Sequence, residues 1–504
     1  MIIKLFILVL FFAVTVGVGF YCRKNATNVG DFVLGGRSVG PWMSAFSYGT
    51  SYFSAVVFVG YAGQFGWNFG ISAIWIGIGN AFLGSMLAWV VMGRRTRIMT
   101  KHLDSATMPD FFAKRYDSPN LKIVVSIMIF VFLVPYSASV YKGLSGLFSM
   151  AFGVDVKYCM IFMALLTGIY VVAGGYMATA INDVIQGIIM IIGIVTVITL
   201  VLNTQGGLMA AVEKLSQIPL ENAPNLKGAL ISMFGPDPLS LIGVLILTSL
   251  GAWGLPQMVH KFYAIKNERA INAGAIISTT FALIIAGGSY FLGGFGRLFY
   301  IPGERGVMYD DIVPTMIGKA LPDIFIGIVI VMVLSASVST LSAIVLASSS
   351  TFTLDFLKGL LFKDMKATTQ VLTIRVLCGT FVLLSVIIAL NPNNLITTLM
   401  SLSWGSLAGA FLGPFFYGLL WRGTTKWAVW VSLVCGVGIN VTNLIFGFTT
   451  PPSAGAIAIV FSLIVVPLVS FITPKIDRGI VENCFSAYDE KVRIEVEHKF
   501  HLEK

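Results

Sequence analysis

Apolar runs of about 20 residues recur from one end of this 504-residue chain to the other, each long enough to cross roughly 30 Å of hydrocarbon at about 1.5 Å per helical residue. A chain of this kind must satisfy its backbone polar groups within lipid, which leaves helices or a closed barrel. A barrel would show alternating segments of about 10 residues, and that period is absent. The composition agrees: 57% of the residues are hydrophobic and only 11% charged, against about 25% charged in soluble domains. The sequence predicts an all-α polytopic membrane protein and sets aside fibrous, disordered and nucleic-acid-binding classes.

Thirteen spans are expected, over 2–21, 42–62, 71–93, 122–150, 158–178, 183–202, 239–260, 271–299, 324–350, 371–390, 395–420, 427–447 and 454–473. An odd number puts the termini on opposite sides. With the N-terminus outside, most of the 33 lysines and arginines fall in cytoplasmic segments: around Arg37, from Arg94 to Lys122, from Lys261 to Arg269, from Lys358 to Arg375, at Arg422 and Lys426, and in the 474–504 tail. Lys4, Lys157, Lys214, Lys227, Arg297, Arg305 and Lys319 lie outside. That bias is the positive-inside rule, so the net charge of +10 needs no anionic partner to explain it. The expected location is the plasma membrane, multi-pass, with a cytoplasmic C-terminus and no obligate protein partner.

Residues 1–21 have no small-residue cleavage site ahead of Cys22 and no secreted domain after them, so they read as a retained first helix. The cysteines Cys22, Cys159, Cys378, Cys435 and Cys484 show no paired spacing, which argues against a disulfide framework or a metal site. Histidines and carboxylates are expected in loops and tails, with Asp183 at the inner end of a span as the nearest exception. An enzyme would need acids, bases or ligands gathered at one depth, and proton coupling usually runs through intramembrane Asp, Glu or His. No cofactor is implied.

Two spans instead carry small hydroxyls and glycines in mid-membrane. The first cluster runs from Ser44 to Ser54 and includes Gly49, Thr50 and Ser51; Gly and Ser favour interruption of a helix, although close helix packing uses the same residues. The second runs from Ser335 to Ser342. There Ala336, Ser339 and Thr340 are spaced i, i+3 and i+4 and share one face. Hydroxyls plus carbonyls released by an interrupted helix supply neutral oxygens suited to a monovalent cation. The pattern predicts a sodium site between these two spans.

Spans two to six (42–202) and seven to eleven (239–420) form two blocks of five, with 1–21 and 427–473 as additional helices. Five is odd, so the second block enters from the opposite side, as in transporters with inverted repeats and broken helices. Thr248 to Trp253 is the corresponding weak point of the second block.

Asp31-Phe32-Val33-Leu34-Gly35-Gly36-Arg37, then Gly174-Gly175 with Ala178, Asp183 and Gln186, then Pro256-Gln257 before Lys261, and Gly413-Pro414 with Trp421-Arg422 together resemble the landmarks of the sodium/solute symporter family. The resemblance covers about residues 30–425. It departs at Ile181, where the family usually has Trp. It implies a LeuT-type 5+5 inverted-repeat core and, for sodium, the backbone carbonyls of Thr50, Phe53 and Ala336 with the hydroxyls of Ser339 and Thr340. Asp183 falls where the family has an acid that helps the ion leave inward, or serves as a helix N-terminal carboxylate.

For the solute, the resemblance points to Ser51, Tyr52, Tyr136 and Trp253. The proline branch has an Asp and a Trp where this chain has Tyr52 and Val56, which points away from proline itself. Lys142, alone inside a span, either binds a substrate carboxylate or snorkels outward along its stem. The implied function is sodium-coupled import of a small polar organic solute, an amino acid or organic carboxylate, by alternating access. An uncoupled or proton-coupled carrier, or a sugar- or vitamin-specific symporter, is the alternative. A sensor would need more than the 474–504 tail, and a channel a continuous polar stripe. One charge across 100 mV supplies about 2.3 kcal/mol and a tenfold sodium gradient about 1.4 more, enough for accumulation of a few hundredfold.

Overall fold

The computed structural model describes residues 2–23, 29–220, 227–300, 307–391 and 395–502. Arg305 lies outside them. Their order is helical throughout, and the only extended pairing among them is one parallel bridge, Val39 to Ile265. Among the described residues, ten helices are long and apolar enough to cross a membrane, or eleven if the bent pair Pro238–Gly254 and Pro256–Ala264 is one span.

This count falls below the expected thirteen because two pairs of neighbouring spans adjoin without a loop. Helical structure runs on from Val56 to His102, so the C-terminal part of span two and all of span three adjoin, turned at Gly70 (φ +64°) by a short 3-10 segment. Spans five and six adjoin without a loop as the two helical limbs of Val156–Thr204, which meet at the non-helical Gly175 (φ +62°, ψ −166°). The expected boundary at 179–182 is therefore misplaced: the chain turns where glycine can adopt φ +62°, a region costly to other residues.

Two helices are broken in mid-course. The first half-helix, Pro41–Tyr52, ends at Phe53, and helix resumes after Ser54. The break is serviced from both sides: Ser54 Oγ accepts the Val56 N–H (3.2 Å) and Ser337 Oγ accepts the Ala55 N–H (3.3 Å). The donors of the second half are thus partly satisfied, while the last carbonyls of the first half are freed. The second break falls at Leu255, bent by 45°, two residues beyond the expected Thr248–Trp253 weak point. Leu255 adopts ψ 125°, as steric conflict with the following Pro256 requires. Val39 ties the two broken helices together, donating its N–H to Ala264 O (3.3 Å) and accepting from Lys266 N (2.9 Å).

Enclosure sorts the remaining helices. Within their apolar windows, Ile396–Leu420 and Asp323–Leu361 are 89% and 83% buried, whereas Lys4–Cys22 and Lys426–Phe446 are 28% and 33% buried. The first two form the inner wall, and the others carry an apolar outer face (Phe6, Val434, Ile445), as lipid contact demands. Ile2–Arg23 packs along Val156–Thr204, fastened by Lys4 to Asp323 (2.9 Å) and by Asn182 to Thr15 O (3.1 Å). Close approach at one crossing leaves no room for a side chain: a Cβ on Gly66 would meet the Gly293 backbone at 2.1 Å. The cysteines are free, and all but Cys435 are buried.

Candidate functional site

The freed end of the first half-helix faces the hydroxyl cluster of Asp323–Leu361. Thr340 Oγ1 lies 3.1 Å from Thr50 O, 3.4 Å from Ser51 O and 3.0 Å from Ala336 O. Ser339 Oγ lies 2.7 Å from Thr50 Oγ1 and 2.5 Å from Asp183 Oδ1, while Thr50 itself donates to Phe46 O (2.8 Å). All of these residues are buried. One hydroxyl proton on Thr340 confronts three carbonyl oxygens, and one on Ser339 confronts a carboxylate and a hydroxyl. Acceptors therefore exceed donors, an imbalance that a bound cation would correct. Thr50, Ala336, Ser339 and Thr340 are brought together; Phe53 sits one turn further on, buried at the break with its ring stacked on Tyr52 (4.3 Å).

Asp183 and Lys261 correct the sequence reading. Asp183 is enclosed within the second limb of Val156–Thr204, 1% exposed, and is neither at the end of a span nor a helix N-terminal group. Lys261, expected in a cytoplasmic segment, belongs to the half-helix Pro256–Ala264 and is 2% exposed. Its Nζ donates to Ser47 Oγ (2.7 Å) and stands 3.9 Å from Asp183 Oδ2; Ser47 in turn donates to Asp183, and the Tyr176 ring lies 5.2 Å from Nζ. Gln186 and Gln257 are both buried, and their side-chain amides have no hydrogen-bond partner among the described residues. Asp355 is likewise no loop residue: it is buried in the C-terminal extension of Asp323–Leu361, 3.4 Å from Lys122.

Of the solute candidates, Tyr52 and Tyr136 converge on Trp404 of Ile396–Leu420, with ring centroids 5.8 Å and 5.7 Å from it. Tyr52 donates its hydroxyl to Thr248 O (2.5 Å), joining the first half-helix to the second broken helix. Ser51 Oγ is buried beside this group and has no hydrogen-bond partner among the described residues. Trp404 was not singled out from sequence, yet it sits in Ser401-Leu402-Ser403-Trp404-Gly405-Ser406, a third small-hydroxyl cluster of the kind that marked the other two. Trp253 is held differently, donating to Leu83 O (2.9 Å) and packing on Phe416.

Lys142 is half-buried and lies in the field of Asp310 and Asp311, carried by the segment between Arg269–Gly293 and Asp323–Leu361. Burial pushes the Asp310 carboxyl up to about 6, against the pull of the Ile396 N–H (3.2 Å) and Lys142. In the unfolded chain the ordinary value is 3.8, so between these values only the folded state keeps the proton. Stability from this group is full below the lower value and is lost as pH rises through the higher one. Asp310→Asn keeps an acceptor for Ile396 without the charge. Its stability should gain on the parent's from pH 4 to pH 7, by up to roughly 3 kcal/mol, read as a rising difference in thermal midpoint; parallel pH profiles would count against this carboxyl.

Residues 32–436 match the profile of the sodium:solute symporter family. The sodium/proline symporters of Staphylococcus aureus strains JH9 and JH1 are each 30% identical over 441 residues, covering 84% of this chain and 83% of theirs. Among solved structures, a Na+-coupled sialic acid symporter in a substrate-bound outward-open state superposes with a TM-score of 0.76 at 17% identity, over 94% of this chain and 99% of that one. A nucleobase-cation-symport-1 family transporter, closed with bromovinylhydantoin bound, gives 0.52 at 14% identity, over 90% and 97%. These two likenesses show the LeuT-type fold, and the family match spans most of the sequence. The chain belongs to the sodium:solute symporter family and is a multi-pass membrane transporter, not an enzyme.

Proposed function

We propose that the chain is a sodium-coupled symporter that imports a small polar organic solute, an amino acid or organic carboxylate, by alternating access. The observation that carries this reading is the Thr340 hydroxyl set among the carbonyls of Thr50, Ser51 and Ala336. Sodium there would bridge the first half-helix and Asp323–Leu361, ordering the interruption on which Ser51 and Tyr52 lie. The solute would bind beside it, between Tyr52, Tyr136 and Trp404. Each ligand stabilises the arrangement the other needs, which is coupling in the thermodynamic sense. In the same reading 42–202 and 239–420 are the inverted repeats, the N-terminus faces outward, and Lys142 serves the outer carboxylates Asp310 and Asp311. The 30% identity to sodium/proline symporters supports the amino-acid class; Tyr52 in place of an acid argues for a solute other than proline.

Purified protein should show a thermal midpoint that rises with one class of solute in sodium chloride and not in potassium chloride, because a ligand that binds only the folded state stabilises it by mass action. A library of amino acids, carboxylates, sugars and vitamins identifies the class. A solute that stabilises equally in both salts would favour uncoupled carriage, a second reading that the buried Lys261 ammonium beside Asp183 keeps in view, since a fixed cation can stand in for a bound one.

A further inference from the structure

We infer that Lys261 is a tethered competitor of the coupling ion: its ammonium neutralises Asp183 when sodium is absent and weakens sodium binding when it is present. The inference rests on the sodium reading above. Four elements converge on the pair. Asp183 comes from Val156–Thr204, Lys261 from the half-helix Pro256–Ala264, Ser47 from the half-helix Pro41–Tyr52, and Ser339 from Asp323–Leu361. Contacts run without a gap from Lys261 Nζ to Ser47 Oγ (2.7 Å), from Ser47 to Asp183, from Asp183 to Ser339 Oγ (2.5 Å) and from Ser339 to Thr50 Oγ1 (2.7 Å). One end of that chain is a fixed cation and the other is the candidate ion site.

A carboxylate 1% exposed would be costly without a counter-charge. Lys261 supplies one, at 3.9 Å and without a direct hydrogen bond, since Ser47 stands between them. This spacing leaves Asp183 free to accept from Ser339 on its other oxygen. A sodium ion among Thr50, Ser339 and Thr340 would draw on the same negative charge from the opposite side. Two cations then share one carboxylate where water does not screen them, and each lowers the other's affinity. The ammonium rides on the half-helix beyond the 45° bend at Leu255, so its distance from Asp183 is tied to the position of that half-helix. Movement that brings Lys261 onto Asp183 favours ion release, and movement away favours capture.

A lysine that merely filled a structural need would, when replaced, leave sodium affinity unchanged or lowered. A competitor predicts the reverse. The test is the sodium concentration giving half-maximal thermal stabilisation of the purified full chain, titrated against choline chloride at constant ionic strength. Lys261→Gln should lower that concentration about tenfold, as expected for removing a nearby like charge in a poorly screened site, while Lys261→Arg keeps the parental value. Turnover at saturating sodium should fall in Lys261→Gln, because release is slowed. Should that variant not fold, Asp183→Asn is compared with Asp183→Asn/Lys261→Gln, where the double variant should bind sodium about tenfold more tightly than the single one. Equal or weaker binding in both comparisons overturns the inference while the sodium reading survives. A parent whose midpoint ignores sodium overturns both.

Discussion

Replacing Thr340 by alanine is expected to raise the sodium concentration needed for half-maximal stabilisation by about 10- to 100-fold, equivalent to about 1.4–2.8 kcal/mol, and to abolish sodium-driven uptake at ordinary gradients. The reason is local. Thr340 Oγ1 is the atom that stands within 3.4 Å of both Thr50 O and Ser51 O while lying 3.0 Å from Ala336 O in its own helix. Without it, an ion loses an oxygen ligand, and the carbonyls freed at the break lose their polar neighbour on the facing helix. Thr340→Ser keeps the oxygen and should stay close to the parent, whereas Thr340→Val keeps the shape and should behave like alanine. The measurement is a sodium titration of the thermal midpoint for all three. Parental sodium dependence in the valine variant would remove Thr340 from the ion site.

How the sequence showed that site, and hid its neighbour, follows from the physics of each segment. Ala336, Ser339 and Thr340 were readable because helical periodicity alone puts i, i+3 and i+4 on one face, and the run of hydroxyls in an apolar span had to answer to something polar. The first break was readable because Gly49, Ser51 and Ser54 weaken a helix from within. Lys261 was not, because it ends an apolar run and is followed by Lys266 and Arg269, which reads as a flank at the interface. What changes its meaning is the break at Leu255: a separate half-helix begins at Pro256 and carries Lys261 inward to Asp183. The turn between spans five and six was expected a few residues late, at 179–182, because a turn made at Gly175 without a loop leaves no polar gap in the hydropathy profile to mark it. Lys142 was visible as an isolated cation in a span, but its partners Asp310 and Asp311 lie more than 160 positions away, in a segment with no motif to announce them.

Asp183→Asn should show the largest loss of stability among these variants, because it leaves the Lys261 ammonium buried with Ser47 as its remaining hydrogen-bond acceptor and the Tyr176 ring nearby. Removing one partner of a buried ion pair costs about 3–5 kcal/mol, which should lower the sodium-free thermal midpoint severely. Lys261→Gln strands the opposite charge and should also be destabilised in the absence of sodium. The two losses differ in their remedy. A lone carboxylate can recruit sodium as its counter-ion, so raising sodium should restore Lys261→Gln toward the parent. A lone ammonium cannot, so Asp183→Asn should remain far below the parent at every sodium concentration, whatever small upward shift saturating sodium gives it. The double variant Asp183→Asn/Lys261→Gln removes both charges and should recover most of the midpoint lost by either single change, with little response to sodium compared with Lys261→Gln. Recovery of Asp183→Asn to the parental midpoint by sodium, or a double variant no more stable than the singles, would mean that the two groups do not compensate each other's charge in the folded protein.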